Sequence, residues 1–195
     1  DDIRYTENGR ASYPTSFISN ASKDGYVYKH PKNIIMLTCD SFGVLPPVVK
    51  LTADEAVEQF LIGYTSKVAG TEKGVTEPVA TCSPCFGQPF MPLPPESYGE
   101  ILKKMIIEHN VNCWLVNTGW TGGQYGVGNR ISLSLTREII QSINNGELRK
   151  NRTIKHKPTG LNIPLTKFIP DHVAFPEKGW KSRKEYNKQL KKLKE

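Results

Sequence analysis

Residues 114–136 read W-L-V-N-T-G-W-T-G-G-Q-Y-G-V-G-N-R-I-S-L-S-L-T, and no other stretch limits so tightly what the chain can become. The apolar run Trp114-Leu115-Val116 predicts a buried strand. At Asn117 it breaks into a loop with glycines at 119, 122, 123, 126 and 128. Glycine reaches backbone angles that other residues avoid, and it lets main chain pass close to a ligand. Arg130 follows, and a helix is expected to begin near Thr136 and run to about Asn145. A strand, a glycine-rich turn, a guanidinium fork and a helix start together point to a site for an anionic, phosphorylated ligand. The spacing matches neither G-x-G-x-x-G nor G-x-x-x-x-G-K-[ST], the two common phosphate loops. On composition alone, a long surface turn between strand and helix is the alternative.

The rest of the chain suits a folded α/β protein. Its 195 residues are 37% hydrophobic and 23% charged, and no apolar run approaches the roughly 18 residues a membrane helix needs. The opening D-D-I-R-Y-T-E-N-G-R has no apolar segment of a secretory signal, and without an initiator Met it suits an internal fragment or a processed product. The net charge of +7 is unevenly placed. Residues 1–148 carry 12 Lys and Arg against 15 Asp and Glu, whereas residues 149–195 carry 14 against 4. A basic tail of this kind binds nucleic acid or an acidic surface in some proteins. No nucleic-acid-binding motif accompanies it, so a solvated lysine-rich surface is the preferred reading.

Several local signals place elements. Residues 33–39, N-I-I-M-L-T-C, form a short buried strand, and Asp40 ends it as a capping or loop-bracing carboxylate rather than a metal ligand. Thr52-Ala53-Asp54-Glu55 is a capping box that opens a helix expected to reach about Lys67. Residues 64–86 are polar, small and poor in core formers, as a mobile lid would be. A second helix is expected over 97–109, with His109 a favourable cation at its C-terminus. Beyond Gly146, residues 151–176 predict short strands or an extended arm, followed by a peripheral helix placing Tyr186, Leu190 and Leu193 on one side. Of the four cysteines, Cys82 and Cys85 form a single C-x-x-C, too few ligands for a structural zinc site. Free thiols in a reducing compartment are expected, and Pro84 gives the pair only a superficial likeness to a redox motif. His156 and His172 have no ligand spacing and receive no role.

The wording of three stretches goes further. N-T-G-W-T-G-G-x-Y-G-x-G-x-R-[IM]-S-L-x-x-T, H-P-K-N-I-I-M-L-T-C-D-S-F-G-V-L-P-P-V (30–48) and Y-T-S-K-V-A-G-T-E-K-G-V-T-E-P (64–78) closely resemble the ATP-dependent phosphoenolpyruvate carboxykinases, in that family's order. The resemblance implies the C-terminal part of a mixed α/β nucleotide-binding domain. Residues 1–148 would be its nucleotide-facing part, with the lid at 64–86, and residues 149–195 a basic arm and helix of the same domain. It implies decarboxylation of oxaloacetate and phosphorylation of the enolate by ATP to give phosphoenolpyruvate and CO2 in gluconeogenesis, with Mg2+ or Mn2+. Through T-E-N-G-R-A-S-Y-P, Arg10 takes the place of the arginine that contacts the γ-phosphate and the substrate. Arg130 matches the arginine reaching the nucleotide phosphates, and Ile131 and Thr136 match positions lining the adenine pocket. Asn129 stands where the family commonly has lysine, and C-S-P-C departs from the family at the end of the lid.

The phosphate loop and metal-binding residues of the family would lie before Thr6, so the chain is expected to need that N-terminal part and to be inactive alone. Its sheet would then have an edge that needs a partner, which predicts poor solubility in isolation. A cytoplasmic enzyme with no membrane or nucleic-acid partner is the reading adopted. The alternatives are a GTP-using carboxykinase, a non-catalytic nucleotide-binding module, and a basic module for nucleic acid or acidic surfaces.

Overall fold

The computed structural model describes residues 11–22, 29–69 and 74–194. In chain order the elements are β1 (Asn33–Thr38), β2 (Val48–Leu51), α1 (Ala53–Ile62), β3 (Tyr64–Lys67), β4 (Val79–Cys82) and α2 (Pro95–Glu108). There follow β5 (Asn112–Asn117), β6 (Trp120–Thr121), β7 (Asn129–Arg130), α3 (Leu133–Asn144), α4 (Glu147–Lys150), β8 (Thr153–Lys155) and β9 (Asn162–Pro164). The chain closes with α5 (Asp171–Ala174), α6 (Pro176–Gly179) and α7 (Arg183–Lys194).

Five strands form the main sheet in the order β1-β5-β2-β9-β8. β1 and β5 run parallel, paired from Asn33↔Asn112 to Thr38↔Asn117, and the remaining neighbours are antiparallel. The apolar run at the centre of β5 follows from burial on both faces. Because side chains alternate along a strand, Cys113 and Leu115 of β5 join Val49, Leu51, Ala56 and Ile106 under α1 and α2. Trp114 and Val116 face the other way, packing with Val48, Ile139, Ile143 and Leu148 under α3 and α4. The expected mixed α/β architecture is present, with helices on both faces of the sheet. At one side of it lies β1, where Leu37 is 56% exposed.

Two expected helix boundaries shift, and an expected loop contains a pair of strands. α1 ends at Ile62 rather than near Lys67, because Gly63 takes a left-handed conformation and donates its N–H to the Gln59 carbonyl. Its start is as expected, with both hydrogen bonds of the Thr52–Glu55 capping box formed. Within 64–86, β3 and β4 pair antiparallel from Tyr64↔Cys82 to Lys67↔Val79, giving the expected loop a hydrogen-bonded base. α3 begins at Leu133 rather than Thr136, because the Ser132 side chain accepts a hydrogen bond from the Leu135 N–H and caps the helix.

The region after Gly146 is woven into the sheet, with β9 beside β2 and β8 outside it. α7 packs as a peripheral helix: Tyr186 and Leu190 bury against Val44, with Phe42, Trp180 and Leu193 around them. Its lysines 184, 188, 191 and 192 lie on exposed positions. Among the described residues no helix is long and apolar enough to cross a membrane.

All four cysteines are free, and only Cys82 is exposed. Burial pushes the thiols of Cys39, Cys85 and Cys113 up, that of Cys113 to about 11. Since the thiolate is the reactive form, a thiol reagent at pH 8 should modify one cysteine quickly in the native chain and four after denaturation. Peptide mapping should assign the fast site to Cys82, and fast labelling of Cys113 would contradict this packing.

Candidate nucleotide site

The site is built where the parallel strands β1 and β5 end. Asp40, just past β1, is fully buried. Its carboxylate accepts hydrogen bonds from the backbone N–H groups of Phe42 (2.9 Å), Val44 (2.7 Å) and Leu45 (2.8 Å), and from the Tyr64 hydroxyl (3.0 Å). Burial pushes its pKa above the usual carboxylate range, and these four donors pull it back. The same burial, followed by the Asp40 charge, pushes the Tyr64 phenol up. Asp40 is therefore the loop-bracing carboxylate expected from the sequence.

Asn117, the last residue of β5, is the matching lock on the next strand and is also fully buried. Its Oδ1 accepts from the N–H groups of Asp40 (3.0 Å) and Gly119 (2.8 Å), and its Nδ2 donates to the Leu45 carbonyl (3.0 Å). The glycine loop is sewn onto Asp40 and its neighbours by Thr118 N–H to the Thr38 carbonyl, Trp120 N–H to the Asp40 carbonyl, and Tyr125 N–H to the Ser41 carbonyl.

Here the glycines serve the packing of main chain on main chain. A Cβ on Gly119 would collide with the Asp40 backbone, and one on Gly43 would collide with the Gly123 carbonyl. The glycine-rich loop suggested backbone approaching a ligand; at Gly119 the chain approaches itself instead.

The loop returns as the short ladder β6–β7, which pairs Trp120 with Arg130 and Thr121 with Asn129. The Arg130 guanidinium lies over the Trp120 indole, 5.3 Å from the ring centroid, and its Nε donates to the Thr118 carbonyl at 3.1 Å. Trp120 is in turn held edge-on by Tyr125 at 5.3 Å. The guanidinium is thus aimed by a ring and a carbonyl while remaining exposed. It also lies close enough to Cys39 to oppose the rise that burial imposes on that thiol.

Beside this ladder opens a cavity of about 720 Å³, a volume suited to a small organic ligand. Its walls include Thr121, Arg130 and Ile131, Leu135 of α3, and Phe168 and Lys181 from the C-terminal region. Arg130 and Ile131 are therefore brought together at one cavity. Thr136 is half-buried one turn into α3, with its hydroxyl donating to the Ser132 carbonyl at 3.1 Å, while its neighbour Leu135 faces the cavity. Arg10 lies outside the described residues. Among the described residues no group of three or more His, Cys, Asp or Glu side chains could hold a metal ion.

His156, given no role from sequence, is 1% exposed. Its Nδ1 meets the Thr159 hydroxyl and its Nε2 meets the Glu177 carboxylate, each at 2.7 Å. This pair ties the turn between β8 and β9 to α6, whose Gly179 borders the cavity. Its partners are 3 and 21 residues away, a spacing that carries no sequence motif.

These features define a mixed α/β domain with a cavity and an exposed cation beyond the carboxyl ends of its parallel strands, where open α/β sheets hold their ligands. The family model for phosphoenolpyruvate carboxykinase matches residues 1–171. The ATP-dependent phosphoenolpyruvate carboxykinases of Allorhizobium ampelinum and Brucella suis are each 51% identical to the chain, over 194 and 195 residues. That of Methylobacterium nodulans is 48% identical over 194 residues. The chain belongs to the phosphoenolpyruvate carboxykinase family. In each of these comparisons 99% of the chain is aligned but only 36% of the relative, so it spans about a third of their length.

Two substitutions test the framework. Asp40→Asn replaces an acceptor of four hydrogen bonds with a side chain that also donates, and should lower the unfolding free energy by about 2–4 kcal/mol. Gly119→Ala should cost about 1–3 kcal/mol through overpacking. Gly87→Ala is the control, since its nearest contact would be 3.6 Å, and should change stability by less than about 0.5 kcal/mol. Urea denaturation of the three variants would expose any failure of this ranking.

Proposed function

We propose that the chain is the nucleotide-facing part of an ATP-dependent phosphoenolpyruvate carboxykinase. The reaction is decarboxylation of oxaloacetate and phosphorylation of the resulting enolate by ATP, giving phosphoenolpyruvate and CO2, as in gluconeogenesis. The observation that carries this reading is the family match over residues 1–171, which includes the loop that aims Arg130 beside the cavity.

Phosphoryl transfer spreads charge over the equatorial oxygens of the moving group, so fixed cationic donors lower its barrier. Arg130 supplies such a donor to the nucleotide phosphates, and Arg10 supplies another at the γ-phosphate and the substrate. Ile131 borders the adenine from the cavity wall, and Thr136, its hydroxyl turned back to the Ser132 carbonyl, stands behind that wall in α3. Residues 64–86 act as the lid, with the β3–β4 pairing as its base. Closure excludes water, so the enolate meets the phosphoryl group before it meets a proton.

The family's Mg2+ or Mn2+ does not fit the side-chain clusters of the described residues. Its ligands and the phosphate loop belong to the remainder of the family's length, and the chain by itself is catalytically inactive. The reading also takes the protein to be cytoplasmic. Turnover of oxaloacetate by the pure chain, with nothing added, would contradict the proposed division of labour.

A direct test is nucleotide binding. Arg130→Ala should weaken ATP binding by about 10- to 100-fold, as expected for loss of a charge-assisted contact, while leaving adenosine binding within about twofold. Arg130→Lys should recover only part of the loss, because an ammonium lacks the planar fork and stacks poorly on Trp120. Fluorescence titration with a labelled ATP, competed by unlabelled ATP and adenosine, reads both. Equal ATP affinity for the wild-type chain and the Arg130→Ala variant would remove Arg130 from the phosphate site.

A further inference from the structure

The cavity of about 720 Å³ carries a second cation that the reading above leaves without a task. Its titratable side chains, among the described residues, are Arg130, His172, Lys181 and the single carboxylate Glu138. Lys181 stands between α6 and α7, on the wall that the C-terminal region builds. The backbone just before it is held at two points. A Cβ on Gly179 would lie 2.8 Å from the His172 carbonyl and 3.3 Å from the Gly122 Cα, so bare main chain passes between α5 and the glycine loop. The Trp180 indole N–H donates to the Gly43 carbonyl at 2.9 Å, and Tyr186 meets the indole edge-on with centroids 5.9 Å apart. Residue 181 follows directly, so the loops that aim Arg130 also place Lys181.

The neighbouring cations of this segment are engaged elsewhere. Lys178 pairs with Asp171 at 3.1 Å and lies over the Phe175 ring, 4.5 Å from its centroid. Arg183 approaches Glu177 at 3.9 Å and lies over Tyr186 at 5.3 Å. Lys181 has no such partner among the described residues, and of these three it alone lines the cavity. Two cations against one carboxylate favour an anionic ligand. Glu138 stands on α3, so its repulsion biases phosphate toward the ladder and the C-terminal wall.

We propose that Lys181 is a second phosphate-binding residue, whose ammonium meets the nucleotide's polyphosphate from the C-terminal wall while Arg130 meets it from the ladder. This rests on the nucleotide-binding reading above and adds a residue to it. The two cations differ in kind. Arg130 is held in one orientation by Trp120 and the Thr118 carbonyl. An ammonium is a compact charge with three donors on a flexible stem, so Lys181 can follow the phosphates as they settle.

The test is a titration of the native 195-residue chain with labelled ATP, competed by ATP, adenosine and inorganic tripolyphosphate, for wild type, Lys181→Gln, Lys181→Arg and Arg130→Ala. Lys181→Gln keeps part of the stem and removes the charge. It should weaken ATP and tripolyphosphate by about tenfold and leave adenosine within about twofold of wild type. Lys181→Arg keeps the charge and should bind ATP within about threefold of wild type. Thermal melting without ligand is the second readout. Lys181 is exposed, so Lys181→Gln should melt as wild type does. Unchanged ATP affinity in Lys181→Gln overturns the inference. Equal loss of ATP and adenosine also overturns it, because it would put Lys181 at the nucleoside or in the fold. A lowered melting temperature together with an ATP loss that Lys181→Arg does not repair would do the same. If Arg130→Ala binds ATP as wild type does while Lys181→Gln loses ATP and tripolyphosphate, the Arg130 assignment fails and the Lys181 contact stands. Failure of the wild-type chain to bind any of the three would overturn both.

Discussion

The buried carboxylate of Asp40 is the interaction on which the rest of the site depends. Removing a carboxylate from water costs several kcal/mol unless its oxygens are met by donors, and Asp40 has four. Three of them are backbone N–H groups of its own loop, and the fourth is the hydroxyl at the start of β3. One side chain therefore fixes the loop after β1 and anchors the first strand of the β3–β4 hairpin. Asn117 does the same for the loop after β5, and because it also binds the Asp40 N–H, the two loops are locked to each other. A charge could not be held here by a flexible loop, so the folded loop and the buried charge require each other.

This lock explains how an exposed arginine can be aimed without a salt bridge to any described residue. Arg130 stands at the end of a chain of fixed parts: strand ends, a loop packed backbone on backbone at Gly119 and Gly43, a buried indole, and then the guanidinium. The far wall is held by different means. Trp180 donates to the Gly43 carbonyl at 2.9 Å and Tyr186 to the Val44 carbonyl at 3.3 Å, so the C-terminal region grips the same loop that Asp40 braces. The His156–Glu177 pair fixes α6 from behind. The basic character of residues 149–195 thus belongs to a segment whose apolar and buried polar groups build the fold, with lysines on the outside of α7.

What the sequence revealed depended on how local each feature is. The capping box at Thr52 and Glu55, the buried strands and the bracing role of Asp40 were legible, because each is written within a few residues. The early end of α1 was also local, at Gly63, but the helical pattern before it masked the stop. Pairing of β3 with β4 spans a connection, residues 68–78, of mostly small and polar residues, and nothing in their composition specifies a partner. Ser132 as a cap was hidden by the repeated serines and leucines around it. Among the site residues, Arg130 and Ile131 were named through the family's wording, whereas the locking roles of Asn117 and His156 were not found. Their roles come from partners brought close by the sheet and by α6, and such contacts leave no periodic trace. The loop after β5 was noticed for its richness in glycine, but at Gly119 the reason lies in packing against the Asp40 backbone.

The central claim is that a nucleotide sits in the cavity between the β6–β7 ladder, α3 and the C-terminal region. Photoaffinity labelling with 8-azido-ATP, followed by peptide mapping, tests it most directly. The account predicts adducts on peptides containing Ile131 and Leu135 or Phe168, lost when unlabelled ATP is added in excess. Adducts confined to the lysine face of α7, or labelling that excess ATP does not reduce, would contradict it.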